Sequence, residues 1–145
     1  MIRIEELSGA AGDRFEMDII VTGGRPSGFR SPRDLTFDNS GQLWIASDIA
    51  PDKLHSGTYQ SFGNNGLYVI ATKTKSSELS ITQFASAPTG AAFAGPAFVP
   101  NEHTMFVSVQ HPGGEYSSDS QSSTLWPNRL GDSIPRTAIV AIHGQ

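Results

Sequence analysis

Apolar residues in this chain recur in short runs or at every second position, and nowhere at convincing helical spacing. Residues 1–7 set Ile2 and Ile4 between charged neighbours, which predicts a short strand. Residues 15–22, FEMDIIVT, alternate at first and then turn β-branched, and predict a second. Residues 35–38 and 43–46 form a hairpin around the turn residues Asn39-Ser40-Gly41. After a polar loop over 47–65, strands are predicted at 67–71 and 79–85. A second hairpin follows at 97–99 and 104–109, then a Ser, Gly and Asp-rich loop over 110–135 and a closing strand at 138–142. The stretch TGAAFAG is the nearest approach to a helix, but it is short and flanked by glycine.

The two hairpins are one phrase written twice. PRDLTFDNSGQLWIASD, residues 32–48, returns about sixty residues later as GPAFVPNEHTMFVSVQ, residues 95–110. Phe37 corresponds to Phe98, and Leu43-Trp44-Ile45 to Met105-Phe106-Val107. An aromatic-rich hairpin repeated at this interval is how the blades of a β-propeller look in sequence. The expected fold is all-β: an incomplete β-propeller of two to three antiparallel blades with long polar loops. Residues 1–30 would form a partial blade, 31–87 a complete one and 88–145 another partial one. Such a stack leaves apolar faces and strand edges open. Either a second copy, giving a homo-oligomer, or the remaining blades of a longer parent chain is expected to cover them.

Composition narrows the function classes. The 145 residues, 37% of them hydrophobic and 17% charged, suffice for one core but contain no run that would cross a bilayer, so no membrane partner is expected. A net charge of -4 with scattered cations argues against nucleic acid as a partner. The absence of cysteine excludes disulfides, thiolate zinc sites and a cysteine nucleophile. MIRIEELSG has neither the apolar core nor the basic lead-in of an export signal. The expectation is therefore a periplasmic or extracellular location if the chain belongs to a longer exported precursor, with the cytoplasm left open. Phosphate-binding Gly loops, GxSxG, HExxH and EF-hand loops are absent from the sequence.

The runs FRSPRDLTFDNSGQLWIASD, FGNNGLYVI, PTGAAFAGPAFVPNEHTMFVSVQHPG, WPN and PRTAIVAI, in that order, resemble the C-terminal part of the PhoX-type alkaline phosphatases. The likeness runs from about Arg14 to Ile142. It implies an exported phosphomonoesterase acting on a phosphate ester, with calcium and iron in a central site built by several blades. This chain would be roughly the last third of such a protein. The likeness also has departures. Arg33 stands where the family pattern has Asp, Ala92 where it has Glu and Ala94 where it has Thr, which removes oxygen ligands that hard cations want. An Arg beside a metal centre would repel it. Asp48, Asn64-Asn65 and Gln110-His111-Pro112-Gly113 follow the pattern, and Glu115 comes one residue late after Gly114.

The resemblance implies Asp34, Asp48 and Glu115 as metal ligands, and His111 and Arg136 as the residues that meet the phosphate ester. Each also has a structural reading. Aspartates cap strand ends and turns. His111 can fix a turn through a backbone hydrogen bond. Arg on a propeller rim often stacks on an aromatic or pairs with Asp. Asn64 and Asn65 read as turn residues, Trp44 as core between blades and Trp126 as an anchor for its loop. The chain is thus expected to be a segment of a metal-dependent phosphomonoesterase, inactive alone. The alternatives are a non-catalytic structural or binding module that has lost its metal site, with no cofactor of its own, and a calcium-dependent lactonase-like propeller. Fold analogy cannot choose among them.

Overall fold

The computed structural model describes residues 1–7, 9, 12–71, 80–100, 103–114, 124–131 and 133–144. Nine strands form three antiparallel sheets, and no α-helix occurs among the described residues. β1 (Ile2–Glu6) and β2 (Phe15–Ile19) make a hairpin. β3 (Pro32–Phe37), β4 (Leu43–Ser47), β5 (Gly66–Ile70) and β6 (Ile81–Ser86) make a four-stranded meander in chain order. β7 (Ala92–Phe98), β8 (Thr104–Gln110) and β9 (Ala138–His143) make the third sheet. The long loop after β4 holds one 3-10 turn, Gly57–Tyr59.

The four-stranded sheet is the middle layer. β4 is buried at every position, as its continuous apolar run requires of a strand covered on both faces. Trp44, Ala46 and Leu67 point to one side, where they pack with Phe93, Met105, Val107 and Val109 of the third sheet. Leu43, Ile45, Tyr68 and Ile70 point to the other, around Phe29, with Met1 and Val21 against them. The outermost strand β6 carries Thr82, Gln83 and Ser86 and is largely exposed, as an edge strand should be. These are neighbouring blades of a propeller that does not close.

The repeated phrase superposes as a register. Phe37 pairs with Leu43, and Phe98 pairs with Met105, so Trp44 and Phe106 hold the same place in successive blades. Asp38 makes the first turn. Its Oδ1 accepts from the backbone N–H of Ser40 and Gln42 at 2.8 and 2.9 Å, and its Oδ2 accepts from the Trp44 indole Nε1 at 3.0 Å. One carboxylate thus closes the hairpin and orients the indole.

β7 differs from expectation. The small residues before position 97 belong to the strand, which begins at Ala92 and is interrupted by a bulge between Ala94 and Ala97. The reason is burial. Ala91, Ala92 and Ala94 are all buried, and Ala91 lies with Phe93 in the core between the middle and third sheets, where a larger side chain would hold the layers apart. Pro96, which cannot donate to a ladder, falls in the bulge. β6 begins at Ile81; its expected first residue, Leu79, lies outside the described residues.

Both ends of the stack are apolar and open. On the side of β1 and β2, Leu35 is 57% and Phe37 58% exposed. On the far face of the third sheet, Phe106 is 44% and Ile139 75% exposed.

Candidate functional site

Strand directions bring the ends of several strands to one rim. β3 starts and β4 ends there, since Pro32 pairs with Ser47. β7 starts and β8 ends there, since Ala92 pairs with Gln110, and β9 starts there, since Ala138 pairs with Val109. The hydrogen bond from Arg33 to Gln110 joins the two sheets at this end.

Arg33 is the extra residue of a β-bulge: Pro32 pairs with Ser47 and Asp34 with Ala46, leaving Arg33 unpaired in the ladder. A bulge re-aims the side chain it carries. Arg33 Nη1 donates to Asp48 Oδ2 at 2.8 Å and to Gln110 Oε1 at 3.0 Å, while Nε lies 4.0 Å from Asp34 Oδ2. Asp34 Oδ2 also accepts from the backbone N–H of Gly95 at 2.9 Å. Gly95 sits in the bulge of β7 with φ 58, a value that suits glycine. The matching bulges of two blades are therefore tied to each other. Within this cluster two carboxylates face one guanidinium, all partly exposed.

Beneath the rim, Asn65 is a buried tether. Its Oδ1 accepts from Ile49 N–H at 2.6 Å, and its Nδ2 donates to the carbonyls of Ile49 and Ala91, both at 3.0 Å. Asn64 Nδ2 donates to the Ala87 carbonyl at 3.2 Å, and Asn64 Oδ1 lies 2.9 Å from His55 Nε2. The Asn pair holds the long loop to the sheets.

His111 leaves the end of β8 with φ 50, and its side chain is exposed. Its turn is fixed through the backbone: Gly114 N–H donates to the His111 carbonyl and Gly113 N–H to the Thr89 carbonyl, each at 2.8 Å. Pro112 is buried beneath. Arg136 is exposed two residues before β9, at the same sheet end where His111 lies two residues past Val109. Its backbone N–H donates to the Trp126 carbonyl at 2.9 Å, and Trp126 packs on the core between the sheets. Glu115 lies outside the described residues.

The structure therefore gathers Asp34, Asp48 and Gln110 around Arg33 and places His111 and Arg136 at the same end of the third sheet. Residue patterns alone missed Arg33 as the hub, because a bulge has no signature in a single strand. They also missed Asp38, although its place four residues before Gln42 and six before Trp44 was visible.

The family model for alkaline phosphatase PhoX matches residues 2–113. The chain belongs to the PhoX family. The PhoX match takes in Arg33, Asp34, Asp48 and His111, and ends before Arg136. A solved structure, Pseudomonas fluorescens PhoX in complex with vanadate, a transition state analogue, is similar to this chain at 30% identity with a TM-score of 0.60. The alignment covers 76% of this chain and 17% of that one, a smaller share than the third expected from sequence. No curated protein sequence matches.

The metals implied by PhoX membership find no fitting donor set among the described residues. Among the described residues, no group of three or more His, Asp or Glu is placed to hold a metal ion. Asp48 is already ion-paired with Arg33, and Asp34 already accepts a backbone amide.

Proposed function

We propose that this chain forms one wall of a PhoX-like phosphomonoesterase site and is inactive by itself. The observation that carries the proposal is that His111 and Arg136 lie at the same end of the third sheet, within a chain of the PhoX alkaline phosphatase family. In this reading Arg136 holds phosphoryl oxygens with its planar guanidinium, and His111 contacts the same group from the neighbouring strand end. Any metal that polarises the phosphoryl group, calcium and iron by resemblance, would take its ligands from other parts of a complete enzyme.

The open faces at Phe37 and Phe106 are proposed to be covered by further blades, which the 17% coverage of the solved relative favours over a second copy. The proposed setting is that of a longer exported protein. No helix among the described residues is long and apolar enough to cross a membrane.

The test compares this chain with a protein extended by the missing blades, in hydrolysis of p-nitrophenyl phosphate. The expected result is activity in the extended protein alone, reduced by His111→Ala and Arg136→Ala. Full activity in both variants would remove the assigned roles. An inactive extended protein would favour a non-catalytic module, the second reading, which the Arg33–Asp48 ion pair supports at the Asp48 end of the rim.

A further inference from the structure

We infer that the Arg33 guanidinium serves this rim as a built-in cation, filling the position between Asp48, Gln110 and Asp34 that a hard metal ion would otherwise take. The inference rests on the geometry of the cluster and stands whether or not the chain takes part in phosphate ester hydrolysis.

The oxygen set is of the kind a divalent ion selects: two carboxylates and a side-chain amide oxygen, from three separate segments. Asp48 Oδ2 and Gln110 Oε1 both face one nitrogen, Arg33 Nη1, at 2.8 and 3.0 Å, and Asp34 Oδ2 lies 4.0 Å from Nε. Arg33 reaches this point because it is the bulged residue of β3, freed from the pairing that fixes its neighbours. Placing a divalent ion beside the guanidinium would set two cations against each other while Asp48 could serve only one. The cluster is also unsuited to an oxyanion, since two carboxylates flank the single guanidinium. A fixed cation of this kind joins the middle and third sheets without a loading step and is insensitive to chelators.

Calcium titration by calorimetry tests this on the intact chain. The wild type is expected to show no calcium binding that Asp48→Asn removes. Arg33→Gln, which withdraws the charge and leaves the oxygens, is expected to bind calcium at least about ten-fold more tightly than wild type. The double variant Arg33→Gln/Asp48→Asn should lose that gain. No gain in Arg33→Gln would overturn the inference. Should Arg33→Gln fail to fold, the wild type still decides. A melting temperature unchanged between EDTA and calcium supports the inference, and a calcium-dependent rise abolished by Asp48→Asn overturns it.

Discussion

The ring of Phe98 meets that of Trp44 edge-on, with centroids 5.3 Å apart, across the seam between the middle and third sheets. Phe84 meets the same indole at 4.9 Å from within the middle sheet. The repeat gives this contact a wider meaning. Phe37 holds the place of Phe98 one blade earlier, and Phe106 the place of Trp44 one blade later. Each open end of the stack therefore presents one unmatched half of the seam contact. Trp44→Ala is expected to cost about 3–5 kcal/mol, the usual loss for a buried Trp. Phe106→Ser in the isolated chain should change stability by less than about 0.5 kcal/mol. Urea denaturation of both variants checks the contrast.

Asp38 should make the chain sensitive to acid. Burial pushes its pKa up, but hydrogen bonds from the Trp44 indole and from the backbone of Gln42, Ser40 and Gly41 outweigh that and hold it below the ordinary 3.8. The unfolded chain then takes up the proton at a higher pH than the folded one. The stabilisation is complete above the unfolded value and is lost as pH falls through the folded value. Urea midpoints measured at about pH 5 and about pH 3 should fall, and Asp38→Ala should flatten that part of the fall. At neutral pH the same variant should lose about 1–3 kcal/mol, because Trp44 Nε1 and two turn amides lose their acceptor.

Asn65→Ala would strand the Ile49 amide and the Ile49 and Ala91 carbonyls inside the fold. Each buried group without a partner costs about 1–3 kcal/mol, so the variant should lose more stability than any exposed Asn substitution. Hydrogen exchange should report faster opening at Ile49, the residue tied through both N–H and C=O. Unchanged protection there would contradict the tether.

Gly90→Ala should disturb the rim from beneath. At φ 74 an added Cβ would stand 2.3 Å from the Gly114 nitrogen and 2.7 Å from the Gly113 carbonyl carbon. Neither backbone atom can yield without moving the turn that carries His111. A loss on the order of 3 kcal/mol is expected, together with shifted NMR resonances at His111. A variant with wild-type stability would mean the two turns are not in contact.

The sequence already contained the all-β class, the repeated hairpin and most strand positions to within a few residues, the start of β7 at Ala92 excepted. Those features are local: alternation, β-branched runs and turn residues act over a handful of positions. It also contained the family, because several motifs recur in order. The chemistry of the rim was only half legible. Asp34, Asp48, His111 and Arg136 could be named, but not which of them meet, since Arg33 and Gln110 are 77 residues apart and touch only when two sheets stack. A bulge in β3 then decides where Arg33 points. Whether an aspartate is a ligand or a counter-ion depends on what lies within about 4 Å in space, and a linear order of residues does not fix that distance.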